Sequence, residues 1–162
     1  MGLGGNLGDV RDTFRRALSS LHSLPGTRVR CLSGLYRNPP MGGLEQPHYL
    51  NAVAELETEL APRALLAELM RIETAEGRVR DGARWQSRPL DLDLLLHGGE
   101  RIQEPSLTLP HPGAHLRPFV IHPLAEIAPQ ARIPGLGPVA ELAAGVDDGD
   151  LERVAPLAWS PG

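Results

Sequence analysis

The sequence predicts an α+β fold, a split βαβ sandwich in which helices pack on a mainly antiparallel sheet. Three observations carry this. Apolar residues recur at helical spacing in two separate stretches, strand-length alternating or apolar runs flank each stretch, and turn residues stand between them. The order is strand, helix, strand, strand, helix, strand, with a weaker C-terminal α/β extension. In its regular form this order is the ferredoxin-like arrangement.

Met1 to Gly4 reads as the end of a strand, and Gly4-Gly5-Asn6-Leu7-Gly8 as a turn able to take positive φ. Asp9 suits an N-cap, and Val10, Phe14, Ala17, Leu18 and Leu21 then fall on one helical face. Leu24-Pro25-Gly26 ends that helix. Arg28 to Arg37 reads as one strand, with Val29, Cys31, Ser33 and Leu35 on one face and Leu32 and Tyr36 on the other. Asn38 to Pro47 is rich in proline and glycine and reads as a long loop before a strand from Tyr49 to Glu57. Pro62 opens a second helix whose apolar side is Leu65, Leu66, Leu69, Met70 and Ile72, ending near Gly77. An arginine-rich stretch, Arg78 to Arg88, leads into a strand from Leu90 to Leu96. Beyond Gly99 the signals weaken to a short strand near Leu107 and short helices near 117–121 and 139–144. Residues 145–162, acidic and then proline-rich, read as a surface tail of one domain spanning 1–162.

All 16 basic residues are arginine; against 20 acidic residues the net charge is −4. Without lysine there is no Walker-type phosphate loop, no pyridoxal Schiff base and no lysine general base. Any anion must be held by arginine, histidine, backbone N–H groups or a metal. The net charge argues against nucleic acid or an anionic membrane as partner. One cysteine, Cys31, makes no internal disulfide, and no apolar run approaches the ~20 residues of a membrane span. The expectation is a cytoplasmic protein.

Asp91-Leu92-Asp93 is the most informative triplet. On a strand the two aspartates share a face, about 6.5–7 Å apart, while Leu90, Leu92, Leu94 and Leu96 face the core. Two carboxylates side by side repel unless a cation sits between them, and magnesium, which completes its shell with water and phosphates, is the natural one. A solvated strand edge carries the same short triplet. Arg78, Arg80, Arg84 and Arg88 immediately precede it. Arginines beside paired carboxylates supply the charge neutralisation that phosphoryl transfer needs, although a basic loop in solvent looks alike. Trp85 either stacks on a base or an arginine or anchors its loop. Prolines on both sides of His111 fix its backbone. Tyr49 and Phe119 either sandwich a flat heterocycle, with Asn51 at its polar edge, or belong to the core.

Several stretches together resemble one family. They are Gly4-Gly5-Asn6-Leu7-Gly8-Asp9, Tyr36-Arg37-Asn38-Pro39-Pro40 running on to Gln46-Pro47-His48-Tyr49-Leu50-Asn51, and Ile72-Glu73 with Gly77-Arg78-Val79-Arg80. Arg84-Trp85-Gln86-Ser87-Arg88-Pro89-Leu90-Asp91-Leu92-Asp93, Leu109-Pro110-His111-Pro112 and Arg117-Pro118-Phe119 follow in order. They resemble the 6-hydroxymethyl-7,8-dihydropterin pyrophosphokinases of folate biosynthesis. The resemblance implies transfer of diphosphate from ATP to the pterin, with release of AMP. It implies two Mg2+ ions on Asp91 and Asp93, and Arg78 and Arg88 stabilising the phosphates. Glu73, Arg80, Arg84, Trp85, Arg88, His111 and Arg117 would serve ATP, and Asn38, Pro39, Met41, Leu44, Tyr49, Asn51 and Phe119 the pterin. The implied partners are these two small molecules, and the implied state is a monomer.

The chain departs from the family pattern at Gly5, where serine is usual, at Asn38, commonly threonine, and at Gln86-Ser87, commonly Gly-Pro. Family members also carry more strand residues ahead of the glycine turn, so the expectation is a native chain that starts upstream of Met1. Two other readings compete. A metal-dependent nucleotide-sugar transferase also uses D-x-D but needs a larger parallel sheet, and a binding domain that has lost its site would lack the carboxylates or the arginines.

Overall fold

The computed structural model describes residues 1–39, 47–77 and 88–162. Strand β1 (Gly2–Gly5) leads through a turn at Gly8, which has φ +69°, into α1 (Val10–His22). The Asp9 carboxylate accepts the Asp12 N–H at 3.1 Å, an N-cap that satisfies one of the free donors of the first turn. The helix buries Val10, Thr13, Phe14, Ala17, Leu18 and Leu21, the face expected from spacing with Thr13 added.

The single strand expected over 28–37 is two: β2 (Thr27–Leu32) and β3 (Gly34–Asn38). Both pair with β4 (Tyr49–Thr58), and the register shifts between Val29 and Cys31. That bulge breaks the alternation, so Cys31 is exposed and does not share the face of the buried Leu35. Between the two strands Ser33 holds Val53 both ways, its N–H donating to the Val53 carbonyl at 2.9 Å and its Oγ accepting the Val53 N–H at 2.8 Å.

Helix α2 (Pro62–Ala75) starts on Pro62, whose missing N–H costs nothing at this position. It buries Leu65, Leu69, Ile72 and Glu73, whereas Met70, expected on the apolar side, is 41% exposed. Strand β5 (Asp91–Asp93) is shorter than the run expected from Leu90 to Leu96. A hairpin of β6 (Ile102–Gln103) and β7 (Thr108–Leu109) follows, then α3 (Pro118–Ile127). This helix runs past the expected end at Ile121 and carries Pro123 inside it. Burial of Ile121, Pro123 and Leu124 offsets the hydrogen bond that the proline removes. A second small hairpin, β8 (Arg132–Ile133) with β9 (Gly137–Pro138), precedes α4 (Val139–Ala144). Residues 145–162 were expected as a surface tail. They instead contribute β10 (Glu152–Pro156), paired antiparallel with β3, and the buried Leu157.

The main sheet runs β10–β3–β4–β1–β5, with β2 also on β4, and each of these pairings is antiparallel. It is a mixed α and β architecture built on a mainly antiparallel open sheet. Side chains alternate across it into two apolar clusters. Leu3, Ala52, Ala54 and Leu92 point into the larger one, formed with Phe14, Leu18, Leu65 and Leu69 of α1 and α2. Val53 and Leu95 point the other way, against Val120, Ile121 and Leu124 of α3 and Val139 of α4. Leu96 packs against this second cluster, because the regular strand has already ended. Among the described residues no helix is long and apolar enough to cross a membrane.

One polar knot ties α3 and β10 to β3. Glu126 accepts from the Tyr36 hydroxyl at 2.5 Å, from the Gly34 N–H at 3.0 Å and from the Arg153 guanidinium at 3.3 Å. Partial burial works to raise the Glu126 carboxyl, but the donors outweigh it and hold it below the usual carboxylate range. Burial and the facing carboxylate push the Tyr36 phenol up to about 12. The signs are opposite. Glu126 contributes fully above its unfolded range and loses its contribution as pH falls through the folded value, whereas Tyr36 loses its contribution as pH rises toward its own. Glu126→Gln should therefore cost on the order of 1 kcal/mol at neutral pH, and its melting curve should converge with that of wild type in acid. Thermal melts across pH check this, and a gap independent of pH would reject the knot as the cause.

Candidate active site

The pairing of β1 with β5 sets Gly2 opposite Asp93, Leu3 opposite Leu92, and Gly4 opposite Asp91. Leu92 turns into the larger core, so both aspartates face the other side, as the triplet predicts. The glycines explain why a central strand carries so little side chain. A Cβ on Gly2 or on Gly4 would stand 4.0 Å from the Cβ of Asp93 or of Asp91, filling space beside each carboxylate. A Cβ on Gly4 would also come within 2.9 Å of the Asn51 Oδ1. Bare backbone here leaves a floor open beside two acids.

Over that floor lies a cavity of about 250 Å³. Its walls bring together residues distant in sequence: Asn38 from β3, Tyr49 and Asn51 from β4, Arg88, Asp91 and Asp93 around β5, and Arg117 and Phe119 at the start of α3. Pockets for drug-sized ligands usually measure ~300–1,000 Å³, so the described walls bound a space on the small-molecule scale. Asn51 is 7% exposed, and its amide donates to the Asn38 side chain, which orients both amides at one edge. Arg88 donates to the Asp91 carboxylate at 3.3 Å. The site thus has an aromatic and amide part and a charged part within one cavity.

His111 stands near the charged part. Its N–H is held by the Leu95 carbonyl at 2.9 Å, after a cis peptide between Leu109 and Pro110. Nδ1 accepts from the Gly113 N–H at 3.2 Å, so in the neutral ring Nε2 carries the proton. Burial lowers its pKa, Arg117 lowers it further, and Asp91 opposes them. A neutral imidazole that presents Nε2–H can donate to an anionic oxygen without adding charge.

Glu73 occupies a different place. It is 1% exposed on α2, and its Oε2 accepts the Leu92 N–H at 2.8 Å. It is not among the cavity-lining residues; it holds the backbone between the two aspartates on the outer edge of the sheet. Pro39 is exposed and lines a separate, more open depression with Arg37, His48, Asp150 and Glu152. Met41, Leu44, Arg78, Arg80, Arg84 and Trp85 lie outside the described residues. Sequence reasoning took Asn6 for a turn residue, but it is 4% exposed and bonded to two segments that border the site. An amide inside a glycine turn, where a short polar side chain can bond nearby backbone, was the signal available.

Among the described residues no group of three or more His, Cys, Asp or Glu could hold a metal by itself. Two carboxylates on an open floor leave coordination positions for other oxygens. That donor set suits a hard cation such as magnesium, which takes one or two carboxylates and fills the rest of its shell from water and phosphate.

The family model described as 7,8-dihydro-6-hydroxymethylpterin-pyrophosphokinase matches residues 1–129. A Haemophilus influenzae protein named 2-amino-4-hydroxy-6-hydroxymethyldihydropteridine pyrophosphokinase is 44% identical over 154 residues, covering 95% of this chain and 96% of its own. The protein of the same name from Pseudomonas aeruginosa is 43% identical over 152 residues, covering 94% and 93%. The mitochondrial folate synthesis bifunctional protein of Pisum sativum is 38% identical over 125 residues, which are 77% of this chain and 24% of that protein. The chain belongs to the 7,8-dihydro-6-hydroxymethylpterin-pyrophosphokinase family.

Proposed function

We propose that this chain transfers the terminal diphosphate of ATP to the hydroxymethyl group of 6-hydroxymethyl-7,8-dihydropterin, giving the pterin diphosphate and AMP, a step of folate synthesis. The observation that carries the reading is the cavity that joins a stacking and amide-lined part to a carboxylate and arginine part. In the reaction the hydroxymethyl oxygen bonds to the β-phosphorus and gives up its proton, and the bond from that phosphorus to the α–β bridging oxygen breaks.

Tyr49 and Phe119 present flat faces to the pterin, while Asn38 and Asn51 meet its donor and acceptor edge; the pterin assignment of Pro39, Met41 and Leu44 rests on the family resemblance alone. Asp91 and Asp93 would hold two Mg2+ ions, which when bound neutralise and orient the phosphate oxygens. Arg88 and Arg78 stabilise the charge that shifts toward the leaving α-phosphate. Arg80, Arg84, Trp85, His111 and Arg117 bind the nucleotide, the last two by a neutral donor and a fixed cation. Glu73 supports the nucleotide side through the Leu92 backbone. Little covalent chemistry is asked of the protein, so placement of charge supplies most of the rate.

The sheet order, with α1 and α2 over the larger cluster, supports a ferredoxin-like core. The proposal further places the chain as a single domain acting as a monomer in the cytoplasm, with ATP and the pterin as its partners.

The central test is AMP formation. AMP should appear from ATP only when both magnesium and the hydroxymethyl pterin are present. ADP as product, or AMP without pterin, would reject the reading and favour another use of the D-x-D pair. Asp93→Ala should cut turnover by about 10³-fold or more while the melting temperature holds, since it relieves like-charge repulsion. Retained activity with ordinary magnesium dependence would remove the metal assignment. Arg88→Ala should lower kcat by about 10²-fold and ATP affinity by less than about tenfold, because the contact strengthens as charge moves. Steady-state kinetics with calorimetric ATP binding separates these, and equal losses in both would make Arg88 an anchor only.

A further inference from the structure

Asn6 joins the two halves of the site from behind. Its Nδ2 donates to the Pro47 carbonyl at 3.1 Å, and its Oδ1 accepts the Arg88 N–H at 2.8 Å. Its own backbone N–H donates to the Arg88 carbonyl at 2.9 Å. Arg88 is therefore bracketed at both backbone polar groups by one residue. Pro47 stands two residues before Tyr49 and four before Asn51; Arg88 stands three before Asp91 and bonds its carboxylate. The amide is buried, so each of these bonds is made in a setting where an unpaired group is costly.

The backbone approach is close as well. A Cβ on Gly5 would lie 2.5 Å from the Pro89 carbonyl oxygen, so the segment following Arg88 rests directly on β1. A donor and an acceptor on one short side chain are both used, and few residues substitute for that. Aspartate keeps the acceptor for Arg88 but turns a carboxylate toward the Pro47 carbonyl; alanine loses both arms.

We infer that Asn6 is a positioning residue for the diphosphoryl transfer: it sets the Arg88 guanidinium against Asp91 and ties it to the strand that carries Tyr49 and Asn51. The inference rests on the function proposed above. It acts through Arg88, and this makes it testable by a cycle in which a merely structural residue would behave differently.

The four enzymes are wild type, Asn6→Ala, Arg88→Ala and the double variant, assayed for pterin-dependent AMP formation at saturating ATP. Asn6→Ala should lower kcat by about tenfold or more in the wild-type background and by less than about twofold when Arg88 is already alanine. Asn6→Asp, which retains the Arg88 arm and serves where the alanine variant folds poorly, should keep more of kcat than alanine does while raising KM for the pterin. Amide hydrogen exchange gives a readout apart from activity. In Asn6→Ala the Arg88 amide should lose protection while the Leu92 amide, held by Glu73, keeps it. Equal losses from Asn6→Ala in both backgrounds, or undiminished Arg88 protection, would overturn the inference. A wild type that forms no AMP with pterin would overturn instead the reaction on which it rests.

Discussion

Two carboxylates on one face of a three-residue strand are the constraint around which this molecule is arranged. Asp91 and Asp93 repel each other, and β5 is the last strand of the sheet, with one side unpaired by any strand among the described residues. Nothing in the triplet itself would keep such a strand in place. What keeps it is the other face and the other edge. Leu90, Leu92 and Leu94 are buried in the larger core, and the Leu92 N–H on the outer edge is taken by the buried Glu73. Burial of three leucines contributes several kcal/mol at about 1.5–3 kcal/mol each, more than enough to hold two charged neighbours in a solvated cavity. The price of the site is thus met beneath it.

The same constraint accounts for the asymmetry of the two sheet faces. α1 and α2 cover one face with continuous apolar packing, from Phe14 and Leu18 to Leu65 and Leu69. α3 and α4 cover only part of the other, and their cluster stops where Val120 and Leu95 meet the cavity wall. Had the second face been sealed as completely, two like charges would have been taken out of water together, at a cost of several kcal/mol each. The Glu126 knot settles how far α3 reaches. By fixing the helix to β3 near its C-terminal end it leaves Arg117 and Phe119, at the other end, over the opening.

Much of this was legible in the sequence because it depends on periods that backbone geometry imposes. The α1 face, the Pro62 start of α2, and the opposition of Asp91 and Asp93 to their leucines follow from spacings of 3.6 and 2. Residue types offered Tyr49, Asn51 and Phe119 around a flat ligand as one of two alternatives, whereas their gathering with Asn38, Arg88 and Arg117 into one cavity came through family resemblance, since no local rule brings β3, β4, β5 and α3 together. Where local reasoning went astray, tertiary packing had overruled it. A bulge at Cys31 interrupts an alternation that looks regular, Pro123 is carried by buried neighbours, and residues 152–156 join an edge that the acidic run before them conceals. Glu73 is the instructive case. The family resemblance gave it to ATP, and no local rule foretold that its carboxylate would be buried to take the N–H that edge strand β5 gives to no other strand among the described residues.

The absence of lysine sharpens the electrostatics of the proposed reaction. Arginine cannot give up its proton near neutral pH, so Arg88 and Arg117 remain cations whatever enters the cavity. Against them the cavity wall offers two carboxylates, with Arg88 already leaning on one. Among the described residues these charges nearly balance, and two acids are too few to enclose a metal ion. A polyphosphate would change that balance, because its oxygens offer both further ligands for a hard cation and further acceptors for the arginines. In the proposed reaction the metal and the nucleotide would therefore complete one another's sites. The glycine floor is what makes joint occupancy possible, since any side chain at Gly2 or Gly4 would take the room beside the carboxylates that the second ligand needs.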